Sequence, residues 1–250
     1  MSELLERALA AHGGLERWLA AEEVRIKLRS GGRMFDARFQ GRTIKRATGR
    51  GGIVRFWTST PGAIFEGFPR PGHRGYFEPD CVRIESEQGE EPRVRAHPRE
   101  AFSGLRHKLW WDPLDALYFL GYALWNYVTT PFMLVMPGFE VREGKPWREG
   151  QETWQRLEVS FPPGFPTHSP QQTFYFDERG LLRRLDYSPD VFGRWAKATN
   201  YCHDYREMSG VMVPTRRKVT LRTRGGRALP GPTMVWIEIE EFELLGRGGS

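Results

Sequence analysis

Apolar and polar positions alternate with period two along most of this chain. The alternation gives way at two places, one helical stretch at the start and one long apolar run near the middle. Residues 2–11 read as a short amphipathic helix in which Leu4, Leu5, Ala8 and Leu9 share a face. Ser2 can cap its start, Gly13 or Gly14 can end it, and Leu15–Leu19 add a further turn. Val24, Ile26 and Leu28 then oppose Arg25, Lys27 and Arg29, which predicts a half-buried strand. Gly31-Gly32 reads as a hairpin turn, with Phe35, Ala37 and Phe39 continuing the strand pattern beyond it. Further strands are expected near 42–48, 53–58, 63–68, 73–78, 81–87 and 92–97, with glycine or proline between them.

The second half repeats the style. Leu157, Val159 and Phe161 alternate with Arg156, Glu158 and Ser160, and Thr173–Phe176 turns at Asp177-Glu178-Arg179-Gly180 into Leu181–Tyr187. Asn200–Glu207 turns at Ser209-Gly210 into Val211–Leu221, and Met234–Phe242 closes the series. Short turns between strands predict an antiparallel meander of about nine to eleven strands.

Between the halves, Asp112-Pro113-Leu114-Asp115 is a helix start: a capping aspartate, proline at the first position and an acid in the first turn. Ala116 to Met136 carries no charge. Its tyrosines, Asn126, Thr129 and Thr130 make a poor membrane span, and Pro131 breaks it before a full crossing. A helix apolar on every side must be covered on every side. The expected fold is therefore mainly β: a curved, unclosed antiparallel sheet, a half-barrel, wrapped around a central helical insert at about 112–137. Residues 1–250 read as one domain, because no linker or repeat divides them.

Composition adds little chemistry. Aromatics make up 13% within a hydrophobic total of 39%, so rings should line the core or a cavity. The formal charge is +6, which permits an anionic membrane or nucleic-acid partner without requiring one. Arg216, Arg217, Lys218, Arg222, Arg224 and Arg227 form a basic run, but no aromatic is interleaved from Pro214 to Pro230. That disfavours a nucleic-acid face and predicts a solvated edge strand. Cys81 and Cys202 are too few for a disulfide framework and too scattered for zinc. The six histidines show no paired metal-ligand spacing, and no phosphate loop, dinucleotide fingerprint or nucleophile elbow occurs, so neither metal nor cofactor is expected. The first residues lack the apolar core of a secretory signal, which leads to a cytoplasmic expectation. No pattern specifies an oligomeric state.

The densest polar cluster is Tyr201-Cys202-His203-Asp204-Tyr205-Arg206. On a regular strand Tyr201, His203 and Tyr205 share one face and Cys202, Asp204 and Arg206 the other. His203 could serve as an acid or base if Asp186, Glu158 or another carboxylate faced it from a neighbouring strand. His168-Ser169 follows Phe161-Pro162-Pro163-Gly164-Phe165-Pro166 and reads as a rigid loop at a barrel rim.

The order of these motifs resembles the bacterial lipoprotein-carrier superfamily of LolA/LolB type. Carrying the resemblance are Ala11-His12-Gly13-Gly14 after the first helix, the central apolar insert, Gln172-Thr173-Phe174-Tyr175-Phe176-Asp177 leading to Gly180-Leu181-Leu182, and Val213-Pro214-Thr215 opening a strand. Gly121-Tyr122-Ala123-Leu124-Trp125-Asn126-Tyr127 and Asp204-Tyr205-Arg206-Glu207 also resemble segments of bacterial proteins of undefined function. The resemblance implies an open barrel with a hydrophobic interior. The expected function is binding of a hydrophobic or amphiphilic small molecule, or a lipid, between sheet and insert. Tyr122, Trp125, Phe132, Met133, Phe174, Phe176 and Trp236 are the expected lining residues, and peripheral membrane contact is a further expectation. Two alternatives stand beside it: an enzyme using His203 on a lipid-like substrate, and an interaction protein with a filled core. A hollow interior should measure a few hundred Å³, the usual scale of small-ligand sites.

Overall fold

A computed structural model describes residues 2–193 and 195–246, the side chains of Leu105 and Lys108 excepted. Helices α1 (Glu3–Ala11) and α2 (Leu15–Leu19) lead into β1 (Ala21–Gly31), followed by α3 (Arg33–Asp36) and α4 (Gly41–Thr48). A meander then runs through β2 (Gly52–Trp57), β3 (Ala63–Glu66), β4 (His73–Glu78), β5 (Cys81–Ser86) and β6 (Arg93–Ala96). Helices α5 (Leu105–Leu109) and α6 (Pro113–Thr129) follow. A second meander comprises β7 (Glu140–Glu149), β8 (Glu152–Ser160), β9 (Gln171–Phe176), β10 (Leu182–Tyr187), β11 (Ala198–Met208), β12 (Val211–Leu221) and β13 (Val235–Gly246).

All thirteen strands form one antiparallel sheet in the order β6-β5-β4-β3-β2-β1-β13-β12-β11-β10-β9-β8-β7. Among the described residues, the only pairing of strands not consecutive in the chain joins β1 to β13 in the middle. The two edges, β6 and β7, do not pair, so the sheet stays an open half-barrel. Both edges are charged, Arg93-Val-Arg-Ala on one side and a Glu/Arg/Lys-rich run on the other, which discourages further strand addition. Helix α6 connects one edge to the other and lies across the hollow of the sheet.

Strand number exceeds the sequence expectation of nine to eleven, and β7 is the plainest omission. Its residues are largely exposed on both faces, so no alternation marks it. Residues 35–48 also differ from expectation. Gly32 takes φ +134, and a Cβ there would meet the Met234 carbonyl oxygen at 2.3 Å, so β1 leads into α3 instead of a hairpin. Phe35 and Ile44 are buried by α3 and α4, while Phe39 is left outside.

The central helix begins as the sequence predicts. Asp112 caps it, accepting from the amides of Leu114 and Asp115, while Asp115 accepts from the Asp112 amide. Arg95 of β6 donates to both carboxylates. Every residue from Leu114 to Thr129 is buried. The helix comes close to β4 because each element sets a glycine against a large side chain of the other. A Cβ on Gly121 would lie 2.2 Å from the Phe77 ring, and one on Gly75 2.8 Å from Leu117. Gly121→Ala should therefore destabilise by about 1–3 kcal/mol through overpacking, although alanine is the better helix former. Urea unfolding at equilibrium measures this, and a stabilised variant would refute the close-packing account.

Candidate functional site: an apolar cavity under the central helix

A cavity of about 120 Å³ lies between α6 and the floor made by β11, β12 and β13. Its roof is the helix stripe Leu120, Ala123, Leu124 and Tyr127, spaced i, i+3, i+4, i+7. Its floor follows from the strand register. Ala198 pairs with Leu221, Val219 with Val235, and Arg217 with Ile237, so alternate residues of three strands present Ala198, Val219, Leu221, Val235 and Ile237 to the hollow. Arg38, Phe192 and the exposed Trp195 stand at the mouth.

The inner end is polar. His168, only 1% exposed, stacks on Tyr187 with ring centres 4.0 Å apart and an interplanar angle of 4°. One ring nitrogen of His168, Nε2, lies 2.8 Å from the Tyr127 hydroxyl, which lies 2.8 Å from the Tyr187 hydroxyl. The other, Nδ1, lies 3.3 Å from the Tyr122 hydroxyl. Asn126 anchors the loop that carries His168, donating to Pro166 O at 2.8 Å. Burial, aided by the Arg99 charge, lowers the His168 pKa to about 3. Burial pushes Tyr127 up to about 12 and holds Tyr122 and Tyr187 well above the usual phenol range. Near neutral pH the cluster is thus uncharged. It can exchange hydrogen bonds with a guest, but an imidazole with so low a pKa is poorly matched to proton transfer there.

Behind Tyr127 the floor turns polar. Arg217 is buried; it donates to Cys202 Sγ at 2.9 Å and Tyr127 O at 2.8 Å, and its guanidinium lies 4.9 Å from the Tyr127 ring centre. It has no salt bridge to a carboxylate among the described residues. Next to it, buried Asn200 has no well-formed hydrogen bond at either amide atom, although it lies near enough to Tyr127 to favour the phenolate slightly. The basic run therefore does not sit on a solvated edge strand. Strand β12 is interior to the sheet, and the pleat sends Arg217 inward while Arg216 and Lys218 stay outside.

The seven residues expected to line the cavity lie elsewhere. Tyr122 is one layer behind the wall, bonded to His168. Trp125 faces away and donates to Trp57 O at 2.8 Å. Phe132 stacks on Trp18 with centres 4.5 Å apart, and Met133, Phe174 and Phe176 are packed core. Trp236 is on the outer face over Gly31, because the pleat of β13 gives the inner face to Val235 and Ile237. A helix apolar all round carries no mark of the stripe that borders the hollow. His168 was expected at a rim and is instead an inward anchor. Its three tyrosine neighbours come from two distant elements that only the fold brings together.

His203 lacks the carboxylates proposed for it. Glu158 is on β8, three strands from β11, and its register falls opposite Thr199, so it lies more than about 14 Å from His203. Asp186 pairs with Thr199 and is bound by Arg184, Arg222 and Tyr175. Burial and the charges of Arg216, Arg183 and Lys218 lower the His203 pKa. Asp204 takes φ +55, which breaks the in/out alternation of β11 without shifting its register and turns Tyr205 away from the His203 face, against His12 and the Leu182 carbonyl.

No family model matches the chain, and no curated protein matches it in sequence. Solved structures do. The chain is similar to a LolA superfamily protein from Nitrosomonas europaea, with a TM-score of 0.51 at 10% identity over 96% of this chain and 91% of that one. It is also similar to a protein domain from Vibrio parahaemolyticus described as outer membrane lipoprotein-sorting, with a TM-score of 0.52 at 9% identity over 99% and 92%. A DUF1329 family protein from Desulfovibrio piger gives 0.52 at 12% over 99% and 93%. Identities this low establish the fold alone: an open antiparallel half-barrel closed over by a helix. That fold is LolA-like.

Proposed function

We propose that this chain binds a hydrophobic or amphiphilic small molecule, seating a short apolar portion of it beneath α6. The observation that carries this reading is the cavity itself, apolar on roof and floor, open at Trp195 and ended by the neutral His168–tyrosine cluster. At 120 Å³ it is smaller than the few hundred expected from the sequence. It has room for a benzene-sized ring or a run of roughly four to five methylenes, on the scale of apolar cavities that take such guests. The remainder of a longer amphiphile would leave through the mouth. The lipoprotein-sorting description of one structural neighbour fits an acyl chain as that guest.

Ala123→Trp tests the reading, because Ala123 projects from the roof into the cavity. The parent protein should bind a fluorescent short-chain fatty-acid probe, and Ala123→Trp should lose that binding while its melting temperature changes little. If the parent binds no probe and the variant's melting temperature falls sharply, the interior is a filled core and the proposal fails.

A further inference from the structure

The cavity mouth is ringed by large apolar side chains that the fold leaves in water. Phe39 is 69% exposed, Leu109 70%, Trp110 57% and Trp195 76%. They form one neighbourhood. The Phe39 and Trp110 rings lie 5.4 Å apart. The Trp111 amide donates to Arg38 O, and Gln40 donates to Trp111 O, which ties the α5–α6 junction to the segment after α3. Trp111 stacks on Phe192 at 5.4 Å, and Phe192 lines the same mouth as Arg38 and Trp195.

This rim is cationic. Among the described residues its segments carry Arg33, Arg38, Arg42, Arg106 and Lys197 against Asp36 and Asp190, and Asp190 already pairs with Arg99 at 3.2 Å. None of Arg33, Arg38, Arg42 or Arg106 has a salt-bridge partner among the described residues. Arg38 lies over the Phe192 ring, 5.2 Å from its centre, with a buried Nε that has no hydrogen-bond partner and one long bond to Ala37 O at 3.4 Å. Exposed tryptophan and phenylalanine interleaved with unpaired arginine suit the boundary between acyl chains and anionic headgroups. The rings enter the boundary layer, and each guanidinium binds phosphate oxygens in pairs.

We propose that this rim docks on an anionic lipid bilayer, with Phe39, Leu109, Trp110 and Trp195 entering the interface and the arginines meeting phosphate. The cavity mouth then opens onto the membrane, and the guest passes between bilayer and cavity without crossing water. Only that passage rests on the binding function proposed above; the docking stands on the rim.

Flotation of the full chain with phosphatidylcholine vesicles, with and without phosphatidylglycerol, tests the docking. Binding should appear with the anionic vesicles and fall with added salt. Trp110→Ser/Trp195→Ser should weaken it by roughly tenfold or more through lost apolar burial. Arg33→Ser/Arg42→Ser should weaken it about thirtyfold, from about 1 kcal/mol per cation near the surface. Melting curves for both variants should match the parent, since all four side chains are exposed. Ala123→Trp should float like the parent while losing the fatty-acid probe, which separates failure of the cavity from failure of the rim. Three results overturn the proposal: no binding of the parent to anionic vesicles, equal binding to both vesicle types, or a dimer that Trp110→Ser/Trp195→Ser converts to monomer. The last would make the rim a contact between copies of the chain.

Discussion

Acidification from pH 7 to pH 4 should cost the fold on the order of 3 kcal/mol for each of two buried histidines, His168 and His12. Burial lowers His168 to about 3 and His12 to about 4, against an ordinary value of 6.5. The sign follows from proton counting. Below 6.5 the unfolded chain protonates both rings, while the folded chain leaves His168 neutral until about 3 and His12 until about 4. Their contribution is therefore complete above 6.5 and is lost as pH falls toward those lower values. Both rings make bonds that a neutral imidazole can form, His12 Nδ1 donating to Ala8 O at 2.8 Å and His168 lying between two tyrosine hydroxyls; the Ala8 bond alone would raise the His12 pKa, and burial outweighs it. Urea unfolding at a series of pH values measures the slope, which should approach two protons near pH 5. His168→Gln keeps a donor and an acceptor but does not titrate, so it should remove about one proton from the slope. A parent protein whose stability is flat between pH 7 and pH 5 would contradict the buried neutral assignment.

The features legible in the sequence were those decided by local rules. The Asp112-Pro113 start, the charge-free body and Pro131 mark α6 because capping chemistry and hydrophobic continuity act over a few residues. Strands with one wet face, such as β1 and β12, were marked by alternation. What failed depended on what lies over a face. Period two separates Arg217 from Arg216 and Lys218, but gives no sign that β12 is central and that the inner face is roofed by Tyr127. The cavity escaped for the same reason. Leu120 and Leu124 line it while Tyr122 and Trp125 do not, and on a helix buried all round that choice is made by partners distant in sequence.

Arg184 shows the same effect on the outer face and gives the larger single-site expectation: Arg184→Met should destabilise by about 3–5 kcal/mol. Alternation places Arg184 and Asp186 outward on β10, where water would normally cover them. Instead Arg184 is 0% exposed. Its guanidinium holds Asp186 through Nε at 2.8 Å and Nη2 at 2.9 Å, reaches Glu149 at 2.8 Å, and donates to the Gly226 carbonyl. The rings of Trp147, Tyr175 and Tyr201 enclose it at 4.9–5.6 Å. Arg222 adds a second cation on Asp186 at 3.3 Å, so two arginines balance two carboxylates, with Arg184 and Asp186 buried and Glu149 partly exposed. Methionine would fill much of the volume but would leave Glu149 and one side of Asp186 uncompensated, and unpaired buried charge is the costly outcome. Arg184→Met/Asp186→Leu removes both charges of the closest pair and should recover more than half of the loss. A loss below about 1 kcal/mol for Arg184→Met alone would mean that water reaches Asp186 in solution, since only hydration could replace the guanidinium at so small a cost.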